Sequence, residues 1–276
     1  MSEGTIGVVG GNGRVGRLVL ARLAARGVPA AALVRDPGRA TGLPRGVAIR
    51  GAADFAGLAA VACCAPVCVV PRLVGALPGT MGRLVVLGSA RRYTRFPDTV
   101  AEAVRAAESA VLARGPASLI LHPTMIYGAA GENNVQRVKT LIRRLSVLPL
   151  PDGGRALIQP IHAEDVAASI EAALLAEPPL AGALVIAGPE PVRWADFARA
   201  IAAAAGTRVR ILPVPLALAR AAAALGRLVP GLPSVSDAEL RRLLEDKDFD
   251  IGPMTRLLGV VPRPLSEGLA QTFRPS

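Results

Sequence analysis

The chain has 276 residues, 51% of them hydrophobic, and a formal net charge of +11 at pH 7. That length is enough for one α/β domain with its own core, with or without a small lobe. No window of about 18 residues stays apolar and uncharged, which excludes a transmembrane helix, and the first apolar run starts too early for a signal peptide, so the expected setting is the cytoplasm.

The charge excess raises a nucleic-acid partner, and the composition argues against one. The basic residues are scattered and almost all arginine, with lysine only at Lys139 and Lys247. Aromatic residues make up 3% of the chain, which leaves little for base stacking. The cluster Arg137, Lys139, Arg143 and Arg144 reads as a solvated helix face or an anion-steering rim. A small molecule is the expected partner. Cys63, Cys64 and Cys68 lie together, without a C-x-x-C pair or a nearby histidine, and read as small apolar filler in a reduced compartment.

In chain order, Ile6 to Val9 reads as a buried parallel strand running into glycines spaced G-x-x-G-x-x-G at Gly10, Gly13 and Gly16. A helix follows to about Arg26. In a strand–turn–helix the first glycine permits the turn, the second lets backbone approach a pyrophosphate, and the third lets helix pack on strand. The helix N-terminus offers free N–H groups to phosphate. Gly10, Asn12, Gly13, Arg14, Val15 and Gly16 are therefore the expected dinucleotide-binding loop.

Ala30 to Val34 is a second strand, closed by the turn Arg35-Asp36-Pro37-Gly38. Val47 to Ile49, Val67 to Val70, Leu84 to Leu87 and Ser118 to Leu121 read as strands three to six, with a helix over Thr99 to Arg114. Strands alternating with helices mean a doubly wound parallel sheet of the Rossmann type. Beyond Gly128 come a polar loop at Ala129 to Asn134, a helix at Val135 to Leu145 and a Pro/Gly turn at Pro149 to Gly154. Leu157 to Ile161 and Leu184 to Ala187 read as strands that rejoin the sheet around an Ala163 to Ala176 helix. Trp194 to Ala205, Leu216 to Leu228 and Asp237 to Glu245 are expected helices and Arg208 to Leu212 a strand, joined by turns at Pro213, Pro215, Pro230 and Pro233. The expected organisation is a dinucleotide-binding domain over 1–128, completed by 156–190. Residues 129–155 and 191–276 form a small α/β lobe on the substrate side.

The glycine loop, Val34-Arg35-Asp36-Pro37, Leu121-His-Pro-Thr-Met-Ile-Tyr-Gly128 and Ile161-His-Ala-Glu-Asp-Val166 together resemble the extended and atypical short-chain dehydrogenase/reductases, in particular the NAD-dependent epimerase/dehydratase-like and NmrA-like branches. The resemblance spans most of the chain and specifies no substrate. It implies either an NAD(P)-dependent oxidoreductase or epimerase-type enzyme, or a non-catalytic NAD(P)H-binding sensor or accessory factor.

Arg35 stands 19 residues after Gly16, where an acidic side chain would bind a ribose hydroxyl and an arginine would pair with a 2′-phosphate. NADP(H) is favoured over NAD(H) on that ground, the alternative being a solvated turn arginine with Asp36 on the ribose. The resemblance also places Pro71, at the end of the expected fourth strand, and Pro123 beside the cofactor.

The catalytic pattern departs from the family. The resemblance implies a Tyr-x-x-x-Lys dyad on the helix after the fifth strand, and matching Ala107-Glu108 puts Val100 and Val104 there. The tyrosines are Tyr93 and Tyr127 alone, and the residues four further on are Pro97 and Gly131. Ser89 matches the family serine and Tyr93 follows it, so these two are the catalytic candidates. His122 is readable as a useful imidazole near the nicotinamide or as a structural histidine. His162 and Asp165 read as structural.

Overall fold

The computed structural model describes residues 4–129, 134–145, 147–226 and 237–273. Its centre is a seven-stranded sheet in which every neighbouring pair is parallel. The chain enters through β1 (Thr5–Val9), α1 (Arg14–Ala25), β2 (Ala30–Val34) and β3 (Ala48–Gly51). It crosses to β4 (Leu58–Cys63), α2 (Val70–Ala76), β5 (Arg83–Leu87), α3 (Thr99–Ala113) and β6 (Ser118–Pro123). Then follow β7 (Ile126–Tyr127), α4 (Asn134–Leu145), β8 (Val147–Pro151), β9 (Leu157–Ile158), β10 (Ile161–His162), α5 (Ala163–Leu175) and β11 (Gly182–Ile186), the last returning to the sheet beside β6. The order β3-β2-β1-β4-β5-β6-β11 reverses direction between β1 and β4, which opens the crevice where α/β sheets take ligands.

Both faces of the sheet are covered, and the side-chain alternation of β1 shows it. Ile6 and Val8 face one core with Val19, Leu20 and Leu23 of α1 and Val166 and Ile170 of α5. Val9 faces the other, with Leu33, Val70, Leu73, Ala107, Val111 and Ile120. A strand buried on both faces reads as a continuous apolar run, which is why Ala30–Val34 is buried at every position. Between α1 and α5 the buried carboxylate of Glu171 holds Arg22 at 2.7 Å and Arg26 at 2.6 Å.

The remaining chain adds β12 (Val192–Arg193), α6 (Trp194–Ala204), β13 (Arg210–Val214), α7 (Leu216–Gly226), α8 (Asp237–Arg242), α9 (Gly252–Leu258) and α10 (Leu265–Thr272). Tyr127, Val135, Ile142, Ile158, Phe197, Ile201 and Leu269 form a separate core here. Its lock is ionic. Asp165, 5% exposed, accepts from the Arg263 backbone N–H at 3.0 Å and from its guanidinium at 2.9 and 3.0 Å, while Gly268 of α10 lies against the Tyr127 hydroxyl.

Three expectations need correction. The fourth strand is Leu58–Cys63, and Val67–Val69 is instead a 3-10 turn leading into α2. Pro66 and Pro71 bracket that β-branched run, and a proline suits the first turn of a helix and not a central strand. The stretch Leu157 to Ile161 does not rejoin the sheet: β9 pairs antiparallel with β12, and β10 pairs with β7. The expected turn at Pro149 to Gly154 begins as β8, which pairs parallel with β13 and leaves only Asp152–Gly154 as a 3-10 turn. The loop at 130–133, the end of the Leu216 helix and the turns at Pro230 and Pro233 lie outside the described residues. Among the described residues no helix is long and apolar enough to cross a membrane, and no group of three His, Cys, Asp or Glu is placed to hold a metal ion.

Candidate functional site

The glycine loop sits at the carboxyl end of β1. Gly10 has φ +74, and its N–H donates to the Leu33 carbonyl at 3.0 Å. A Cβ on Gly16 would meet the Gly10 carbonyl oxygen at 2.3 Å and Gly11 Cα at 2.9 Å, so α1 approaches β1 closely only with glycine there. A Cβ on Gly13 would lie 3.0 Å from the same oxygen. The opening N–H groups of α1, over Arg14, Val15 and Gly16, have no carbonyl of their own helix to bond. Exposed Asn12 sits on the rim. The cradle fits a pyrophosphate.

At the end of β2, Arg35 is exposed. Asp36 caps the turn that follows, its Oδ1 accepting the Gly38 N–H at 3.1 Å. Asp54 stands past β3 in an exposed turn, accepting weakly from the Ala56 N–H at 3.4 Å. Pro71 opens α2, away from any strand end, and the residues that emerge from β4 toward the crevice are Cys64 and Ala65. Cys64 donates its N–H to the Val9 carbonyl at 2.9 Å, and its backbone and Ala65 lie against Gly10. Burial pushes the Cys63 thiol up to about 11 and the Cys64 thiol higher still, with Cys63 beside it adding to the rise, so both stay protonated and unreactive. Pro123 is buried at the end of β6, opposite Ile186 of β11.

Two strands from β1, about 10 Å away at the usual strand spacing, the end of β5 carries Ser89 and Tyr93. Ser89 caps a 3-10 turn over Ala90–Tyr93, its Oγ accepting the Arg91 N–H at 3.2 Å. His122 of β6 is fully buried behind it, and a Cβ on Gly88 would meet its Nδ1 at 2.6 Å. That Nδ1 accepts the Ser89 N–H at 3.2 Å, which puts the proton of the neutral ring on Nε2. Nε2 lies 3.0 Å from Oε2 of Glu108 on α3, off the line of a straight hydrogen bond. The same Oε2 accepts from Arg92 Nε at 2.8 Å. Burial lowers the His122 pKa and the Glu108 carboxylate partly opposes it.

Tyr93 stands over this group with its ring edge-on to His122 at 5.8 Å and Phe249 on another side at 5.8 Å. It is 47% exposed, and partial burial followed by the Glu108 charge raises its pKa above the ordinary phenol value. The phenol therefore stays protonated at neutral pH. Ser89 and Tyr93 stand at the two ends of one 3-10 turn, and buried His122 touches the backbone of the first and the ring of the second. Glu108, read from sequence only as a point of alignment, is the member that was missed: nothing local in the helix pattern marks a carboxylate aimed at a histidine across the sheet. Val104 is fully buried and Val100 is exposed.

The fold around this crevice is shared with known structures. The fold is a Rossmann-type α/β fold. An NADPH-dependent quinone oxidoreductase from Escherichia coli, solved with NADPH, superposes with TM-score 0.76 at 20% identity, covering 98% of this chain and 100% of its own. A nucleoside-diphosphate-sugar epimerase from Staphylococcus aureus gives TM-score 0.72 at 18% identity over 96% of this chain and 99% of its own. A UDP-N-acetylglucosamine 4-epimerase from Bacillus cereus gives TM-score 0.70 at 14% identity, with 98% of each chain covered. No family model matches the sequence, and no curated protein does.

Proposed function

We propose that the protein binds NADP(H) in the Gly10–Gly16 cradle and acts as an oxidoreductase on a small carbonyl-containing molecule, with Tyr93 supplying the proton. The observation that carries the reading is the exposed Tyr93 phenol, held protonated and backed by Ser89, His122 and Glu108, on the same edge of the sheet as a loop that only glycine can form. The bound nicotinamide would supply the hydride. The chain's part is to bind the pyrophosphate on the opening N–H groups of α1, to offer Arg35 to a 2′-phosphate, and to keep a proton at Tyr93 Oη. In this reading residues 1–128 and 156–190 hold the cofactor, and 129–155 and 191–276 shape the substrate side. Pro123 lies on the cofactor side of that division, and Ala65, emerging from β4, takes the place first assigned to Pro71.

A second reading, a non-catalytic NAD(P)H sensor or accessory factor, is favoured by one observation. Valines stand at both positions that match the Tyr and Lys of the resembled family, and no lysine follows either tyrosine by four residues. Following NADPH oxidation against a panel of quinones, aldehydes, ketones and nucleotide sugars separates the two. Weak turnover of some carbonyl, lost in Tyr93→Phe, supports the enzyme. NADPH binding with no turnover on any of them supports the binder.

A further inference from the structure

The loop that carries Tyr93 is gripped from far along the chain. Glu245, between α8 and α9, is 4% exposed, and its carboxylate points back across the fold. It accepts from Thr94 Oγ1 at 2.8 Å and from the Arg95 backbone N–H at 2.5 Å, the two residues that follow Tyr93. Lys247 Nζ stands 3.5 Å from the same carboxylate and Arg95 Nε 3.9 Å away. A buried carboxylate is costly unless hydrogen-bonded, so this one fixes whatever supplies its donors.

The segment that bears Glu245 is itself fastened. Lys247 donates its N–H to the Leu157 carbonyl at 2.8 Å, and Asp246 accepts the Leu157 N–H at 2.8 Å. Gln159 closes the other end, accepting the Phe249 N–H at 2.8 Å and donating to the Phe249 carbonyl at 3.2 Å. Residues 245–249 thus run as a strap along β9, with Phe249 against the Tyr93 ring and Glu245 on the backbone just beyond it.

We propose that Glu245 is a positioning residue for Tyr93: through Thr94 and the Arg95 amide it holds the phenol between His122 and Phe249. The proposal rests on the reading of Tyr93 as the proton donor. It predicts that the aim of the phenol depends on a carboxylate some 150 positions away in sequence, and that a glutamine, which still accepts from the amide and meets the Thr94 hydroxyl, substitutes for it.

The chain's two tyrosines make the test direct. Protein labelled with carbon-13 at tyrosine Cζ gives two signals, assigned with Tyr93→Phe, and each is followed through an alkaline titration. In the wild type Tyr93 titrates above the ordinary value of about 10. Glu245→Ala brings its midpoint down toward that value and leaves the Tyr127 signal in place, whereas Glu245→Gln keeps the wild-type midpoint. An unchanged Tyr93 titration in Glu245→Ala overturns the proposal, as does a displaced Tyr127 signal at neutral pH, where that buried phenol stays protonated, because it marks general loosening. Should Glu245→Ala fail to fold, Thr94→Val removes one arm of the clamp, and the same downward shift or its absence decides. NADPH binding by the wild type is measured alongside: a Tyr93 shift without NADPH binding removes the reductase reading while the positioning stands.

Discussion

His122 Nε2 lies 3.0 Å from Glu108 Oε2, and the other ring nitrogen accepts the Ser89 N–H, so a fully buried histidine is used at both ends. Its side chain has no exposed surface. It stands where β6, α3 and the loop after β5 meet beneath Tyr93, and in the proposed function the half-exposed phenol is the group that meets the ligand.

From that division of roles comes the first prediction. Tyr93→Phe keeps the ring contacts with His122 and Phe249 and removes only the hydroxyl. A positioned general acid contributes about a hundred- to ten-thousand-fold, so turnover of a substrate found in the panel should fall by roughly that factor. Tyr127→Phe should fall less, because the Tyr127 hydroxyl is buried against Gly268. Comparing the two rates checks it; equal losses would shift the proton to a bound water.

Gly16→Ala addresses the cradle. Its new methyl would sit 2.3 Å from the Gly10 carbonyl oxygen and 2.9 Å from Gly11 Cα, both backbone atoms. Overpacking of this kind costs about 1–3 kcal/mol, and withdrawing α1 from β1 also moves the N–H groups off the phosphate. NADPH affinity, measured by fluorescence of the reduced nicotinamide, should drop by about tenfold or more.

How much of this was readable beforehand depends on the range of the interaction. The glycine loop, the turn at Arg35 and most strand–helix alternation are local signals, and they led to the right sheet. The misplaced fourth strand shows where local signal misleads. Leu58–Cys63 is half alanine, which carries no strand preference of its own, while Val67–Val70 has more β-branched residues and sits between two prolines. Burial between β1 and β5 makes the alanine run a strand. Glu108 and Glu245 were illegible for a different reason: each meets its partners only after the chain has folded, 14 and about 150 positions apart.

Acid should loosen the fold through His162. Burial and the neighbouring Arg263 lower its pKa from 6.5 to about 4. The unfolded chain therefore takes up the proton first, so stability is full above about pH 6.5 and is lost as pH falls toward 4. A shift of that size is worth on the order of 3 kcal/mol. His162→Asn keeps an acceptor for the Glu164 N–H at the start of α5 and cannot titrate. Urea unfolding at pH 7 and pH 4.5 should show a smaller loss in the variant than in the wild type.

Arg263→Met strips Asp165 of its guanidinium while leaving the carboxylate buried. Breaking a buried pair from one side costs about 3–5 kcal/mol, so the urea midpoint should fall by a corresponding amount. Protection of the α10 amides from hydrogen exchange should fall with it.

The proposed function requires a nicotinamide cofactor held by the Gly10–Gly16 loop with Arg35 on its 2′-phosphate. Calorimetric titration of NADPH and NADH into wild type and Arg35→Ala tests this most directly. The expected result is one site that prefers NADPH, with Arg35→Ala weakening NADPH by about ten- to a hundred-fold, the worth of a charge-assisted bond, and leaving NADH unchanged. Equal affinity for both cofactors in the wild type would contradict the role of Arg35, and binding of neither would contradict the account as a whole.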